Sequence, residues 1–200
     1  SFAPPHLSIY HLTIEPNTLF AVQPPALPDD DSASEMLDLI TERTAAAGLA
    51  RYEVSAFARD GHRCAHNLNY WGFGDYLGIG AGAHGKLSFA HRVLRQVRWR
   101  DPRRYMEQAL QGLPVASENE VAARDLPFEF MLNALRLREG FTLGLFSERT
   151  GLPISTVNAA LVQAQNRGWL ERQGDRLRPT ERGFDFLSDL QSLFLPDDGG

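Results

Sequence analysis

The chain has very little cysteine and almost no lysine. Cys64 is the one thiol among 200 residues. That excludes an intrachain disulfide, and it excludes an iron–sulfur cluster built from the chain's own thiolates. The same scarcity suits a reducing compartment. No apolar run approaches the roughly 20 residues that a membrane span needs, and no signal peptide precedes Ser1, so a cytoplasmic location is expected. The basic residues are 19 arginines and one lysine, Lys86, a bias that reads as codon composition and carries no mechanistic weight. A net charge of −5 argues against a wholesale nucleic-acid coat. The chain opens SFAPPHLSIYHL, without an initiator methionine, as expected of a cut inside a longer protein.

What the chain does have is enough apolar material, 43% of its residues, to bury one large or two small cores. Leu7 to Ile14 is apolar or aromatic on both faces and predicts a buried parallel strand. Ser32 with Glu35 forms a capping-box signature, with Met36, Leu37, Ile40, Thr44 and Ala47 at helical spacing and Gly48 as the stop. A second strand is expected at Arg51 to Phe57. Strand, helix, strand predicts a βα repeat of a parallel sheet, whose chemistry sits at the strand carboxyl ends, where Glu15, Asn17 and Ser55 fall. Tyr76 to Gly82 reads as a third strand interrupted by glycines. Leu87 to Trp99 alternates and carries Arg92, Arg95 and Arg98, as an antiparallel ribbon would. Asp101-Pro102 opens a short helix that Gly112 ends.

Residues 114–124 are polar and read as a linker. This places one domain at 1–112, a linker at 113–125 and a second domain at 126–200. In the second domain a helix opens at Pro127, another spans Leu143 to Thr150, and Ser155 caps a third. Trp169 to Arg178 is a hairpin turning at Gly174-Asp175, and a last helix runs from Thr180 to Phe194. Three helices and a wing-like hairpin predict a winged helix-turn-helix. Glu148 to Arg182 holds six arginines against four acids, too little positive charge to demand duplex phosphate contacts, so no nucleic acid is expected. Winged helices also dock proteins, and a DNA-binding regulator stays open as an alternative. The fold class is α+β.

The most informative stretch is Cys64 to Gly85, CAHNLNYWGFGDYLGIGAGAHG. An imidazole, four aromatic rings and alternating glycines together suit a large, flat, partly apolar ligand. His66 is the sharpest candidate, since a neutral imidazole ligates haem iron and Tyr70, Trp71, Phe73 and Tyr76 could pack a porphyrin face. The plainer alternative is a hydrogen-bonded core histidine among ordinary core rings. Cys64-x-His66 lacks the second ligand pair that zinc needs. Gly78, Gly80, Gly82 and Gly85 do not open a helix, so they are no dinucleotide fingerprint. They fit a strand that lets a ligand approach its backbone, or a tight strand crossing with no ligand. His84 follows that run and competes with His66. The arginines at 92, 95, 98, 100, 103 and 104 could receive carboxylates such as propionates, or form a solvated ribbon.

HLTIEPNT, YEVSAFA, CAHNLNYW and FGDYLGIGAGAHGKLS, together with the PPALPDDD loop and PFEFMLNALRLREG, resemble the HemW family of radical-SAM proteins, relatives of oxygen-independent coproporphyrinogen III oxidase. His66-Asn67-x-x-Tyr70-Trp71 matches the HNxxYW signature of the haem-chaperone branch. The resemblance implies a parent with a partial β/α barrel that binds S-adenosylmethionine and a 4Fe–4S cluster on an N-terminal CxxxCxxC motif, followed by a helical domain. That motif is absent here, so the chain resembles the C-terminal portion, and its N-terminal radical-SAM half would be a partner. The trailing βα units of the barrel would then precede the winged-helix domain. The resemblance makes His66 the haem-iron ligand, with Asn67, Tyr70 and Trp71 around it. Gly78, Gly80 and Gly82 become the strand beside adenosylmethionine, and His84 a further contact. It implies delivery of haem to respiratory haemoproteins at the membrane surface, which would make a peripheral membrane location a further option. Within the family the alternative is coproporphyrinogen III oxidation itself.

Overall fold

The computed structural model describes residues 3–196, which form two compact units dividing between Cys64 and Ala65. In the first, Asp29 accepts a hydrogen bond from the Ser32 amide and caps a helix that runs from Asp30 to Ala46. The cap is therefore Asp29 rather than Ser32. The unit's elements are β1 (His6–Ser8), α1 (Leu19–Val22), α2 (Asp30–Ala46), β2 (Ala50–Arg51) and β3 (Ala56–Ala58). The sheet has the order β1–β3–β2, and both ladders are antiparallel. The parallel βα arrangement expected here is thus corrected. The stretch expected as one strand, 51–57, turns back on itself. Glu53 accepts from the Ser55 amide and hydroxyl, and the Arg51 guanidinium donates to the Val54 carbonyl. These side-chain bonds offer the backbone a turn in place of a ladder. Ser55 serves that turn, and Glu15 and Asn17 lie in an exposed loop.

The second unit opens with α3 (Ala65–Trp71) and continues through β4 (His84–Phe89), β5 (Arg92–Arg98), α4 (Pro102–Leu110) and β6 (Val115–Glu120). Strands β4, β5 and β6 form an antiparallel sheet, with an irregularity between Val97 and Arg98. Asp101 caps α4 through the Arg104 amide, and Pro102 sits in its first turn. Six of the residues expected as a linker form β6. This edge strand is exposed over most of its length, and a polar, charged edge strand has the composition of a loop.

Then follow α5 (Leu126–Ala134), β7 (Phe141–Thr142), α6 (Leu143–Thr150), a 3₁₀ turn (Ile154–Val157), α7 (Asn158–Asn166), β8 (Leu170–Gln173), β9 (Arg176–Pro179), α8 (Glu181–Asp185) and α9 (Leu187–Ser192). Ser155 lies in the 3₁₀ turn instead of capping α7. The expected last helix is two, broken at Phe186, whose ring stacks on Trp169. Strands β7, β9 and β8 form a third sheet. Phe130 is wholly buried and meets Phe141 and Phe146 edge to face, with centroids 5.0 and 5.2 Å away. The same apolar cluster takes in Phe73 and Val93. One core therefore spans both sides of residues 113–125, and the domain boundary expected there separates no two cores.

Candidate functional site

Helix α3 has only seven residues. A four-residue interval places two side chains on one helical face, and here His66 and Tyr70 meet with ring centroids 4.7 Å apart. His66 is exposed and Tyr70 half-buried. Tyr70 also meets Trp71 edge-on at 6.5 Å, and the Arg136 guanidinium lies 4.1 Å above the Trp71 ring. Asn67 is half-buried. The amide that shapes the site is Asn69, which donates to the Asp75 carbonyl at 2.9 Å and lies against Gly74, where a Cβ would strike it.

After Trp71 the chain reverses through Gly72, Phe73 and Gly74. The Phe73 amide donates to Tyr70 and that of Gly74 to Asn69, with Phe73 at φ 55. The reversal brings Tyr76 onto Tyr70, their rings stacked 4.3 Å apart. The Tyr76 hydroxyl accepts from Arg95 at 3.0 Å, and Arg95 also pairs with Glu129 at 2.5 Å. Burial raises the Tyr70 phenol above its ordinary range, and the neighbouring Tyr76 adds to the rise.

Residues expected as a glycine strand instead form turns folded onto β4 and β5, apart from one bridge between Tyr76 and Lys86. Gly78 has no room for a Cβ because the His84 carbonyl occupies that space. Gly80 (φ 109) donates its amide to the Tyr105 hydroxyl at 3.1 Å, and Gly82 (φ 71) donates to the Trp99 carbonyl at 2.8 Å. At Gly78 the closely approaching group is the chain's own backbone. His84 is exposed at the start of β4 and lines an open cleft of about 700 Å³ with Tyr76, Arg95, Phe128, Glu129 and Leu132. His66 is not among the residues that line that cleft. Of the ribbon arginines, Arg98 donates to the Gly78 carbonyl and Arg104 covers Trp99 at 3.7 Å. Arg100 and Arg103 are exposed.

The site also holds a charged group that the sequence reading passed over. Lys86 is 1% exposed, and its ammonium donates to the Phe73 carbonyl, Asp75 Oδ1 and Ser88 Oγ. Burial lowers its pKa, as do the charges of Arg95 and Arg149, while Asp75 opposes them. The signal was present: it is the sole lysine in an arginine-rich chain.

The donors fit an exposed single-imidazole contact to a metalloporphyrin, with His66 backed by two stacked rings. They do not fit a 4Fe–4S cluster. Cys64 is the one thiol, and among the described residues no three histidine, cysteine or acidic side chains converge to hold a metal.

Residues 121–186 match the HemN C-terminal domain. The chain is 46% identical over 195 residues to the heme chaperone HemW of Escherichia coli K12, covering 97% of this chain and 50% of that protein. Against the heme chaperone HemW of Haemophilus influenzae the identity is 42%, covering 98% and 50%. It thus spans about half the length of these curated relatives. A solved structure of coproporphyrinogen III oxidase (HemN) from Escherichia coli, described as a radical SAM enzyme, superposes with a TM-score of 0.68 over 96% of this chain and 48% of that one. At 16% identity this likeness establishes the fold.

Proposed function

The chain belongs to the HemW family, and from that premise we propose that it is the part of a haem chaperone that presents His66 to haem. The carrying observation is the exposed His66 ring set on the Tyr70–Tyr76 stack. A neutral imidazole offers a lone pair to iron, and stacked phenol rings offer an apolar face that a porphyrin can lie against. Haem bound there would supply an iron centre to be passed on. An exposed imidazole leaves haem open to an acceptor, which suits a carrier better than a sealed redox site.

Asn67 and Trp71, the latter held by Arg136, complete the proposed haem site. His84 serves as a further contact in the neighbouring cleft. The turns at Gly78, Gly80 and Gly82 belong beside S-adenosylmethionine in the longer protein, where the other half would hold the iron–sulfur cluster. Helices α5, α6 and α7 with the β7–β9–β8 sheet read as a winged helix used for docking protein, the acceptors being respiratory haemoproteins. No helix of the described residues is long and apolar enough to cross a membrane. The scarcity of cysteine is what supports placing the protein in the cytoplasm.

Hemin titration of the full-length protein tests the reading. His66→Ala should weaken binding and displace the Soret band, while His84→Ala at matched folding keeps most of both. Parental binding in both variants would refute it.

A further inference from the structure

A chain that uses arginine at 19 of its 20 Lys/Arg positions departs from that habit at Lys86, and the surroundings say why. The ammonium has three N–H donors, and three acceptors receive them: the Phe73 carbonyl at 2.9 Å, Asp75 Oδ1 at 3.0 Å and Ser88 Oγ at 2.7 Å. It also lies 4.1 Å from the centre of the Phe73 ring. A planar guanidinium with five donors would leave some of them unpaired in this buried place, at a desolvation cost. The site is shaped for a compact point charge.

What the charge holds is a strained reversal. Phe73 has φ 55, a region that bulky L-residues rarely enter and that persists only where the surroundings over-determine it. Lys86 grips both the carbonyl and the ring of that residue. Asp75 completes the grip, accepting from the Ser88 amide and hydroxyl at 2.9 and 2.7 Å as well as from Lys86, while Asn69 holds its carbonyl. The next residue, Tyr76, exchanges both backbone hydrogen bonds with Lys86 and lays its ring on Tyr70, which carries His66. Lys86 is 1% exposed and Asp75 39%, and an ammonium taken out of water seldom stabilises a fold more than an apolar replacement would. Fixing one backbone conformation is the use that remains.

We propose that Lys86, through Asp75 and the Phe73 turn, is a positioning residue that sets the Tyr70–Tyr76 stack and hence the presentation of His66. This rests on the reading of His66 as the haem contact.

The test uses the full-length protein, hemin as probe, and the variants His66→Ala, Lys86→Gln, Lys86→Arg and Ser88→Ala, each checked for folding by far-UV circular dichroism. Both Lys86 variants should weaken hemin binding by about tenfold and move the Soret band toward that of His66→Ala. Lys86→Arg should give no rescue. Ser88→Ala keeps the ammonium but removes one acceptor, and should shift the band the same way by less. If the Lys86 variants do not fold, Ser88→Ala decides. A parental band and affinity in folded Lys86→Gln, or in Ser88→Ala where that decides, would overturn the proposal while His66→Ala remains impaired. Parental binding in His66→Ala would bring down the reading beneath it.

Discussion

Tyr70 and Tyr76 stack with their planes 24° apart across a chain reversal that leaves only five residues between them. The contact has a measurable consequence for Tyr70, whose phenol burial and its neighbour together raise above 10.0. Tyr76→Phe removes the neighbouring hydroxyl but leaves the burial. Tyr70 should then titrate at a lower pH than in the parent, yet still above 10.0, as followed by tyrosine ring-carbon NMR. An unmoved titration would show that the two hydroxyls do not interact.

Asp75 makes stability depend on acid. Burial works to raise its carboxyl, but the hydrogen bonds from Ser88, then those from Lys86, outweigh it and hold the group below 3.8. A carboxyl that is more acidic folded than unfolded contributes stability above its unfolded value, and loses it as pH falls through the folded one. Asp75→Asn should therefore be less stable than the parent near neutral pH. The difference should shrink below pH 3.8 in urea denaturation series. A gap of constant size across that range would contradict the assignment.

Phe130 ties Phe73 to the helical half of the second unit, its ring 5.9 Å from that of Phe73 and wholly buried. Phe130→Ala should cost about 3–5 kcal/mol, read from chemical denaturation. Its effect should reach the Tyr70–Tyr76 stack, visible as a change in near-UV circular dichroism.

Gly183→Ala should cost about 1–3 kcal/mol, because an added Cβ would meet the Trp169 carbonyl. Gly144→Ala has open space at the Cβ position and lies in α6, where alanine is favoured over glycine, so it serves as the control and should not destabilise the protein.

The legible elements carried local signals of their own. Asp101-Pro102 marked α4, and Gly174-Asp175 marked the β8–β9 turn. Short elements fixed by long-range contacts were not legible. β1 has three residues and pairs with β3 some fifty positions away, and β6 has the composition of a loop because both its faces meet solvent. Within the site, HNxxYW was visible as a string, and the pairing of His66 with Tyr70 follows once the segment is helical. The stack with Tyr76 required a left-handed Phe73, which no periodicity reveals. The grip on that turn came from Lys86, whose rarity was visible but whose burial was not.

The central claim is that the His66 imidazole itself contacts haem iron, and ligand replacement tests it most directly. In the full-length protein, His66→Gly should lose the parental Soret band with hemin. Added imidazole, filling the place of the missing side chain, should bring the band back. A His66→Gly protein that keeps the parental spectrum without imidazole, with His84→Gly losing it instead, would contradict the account.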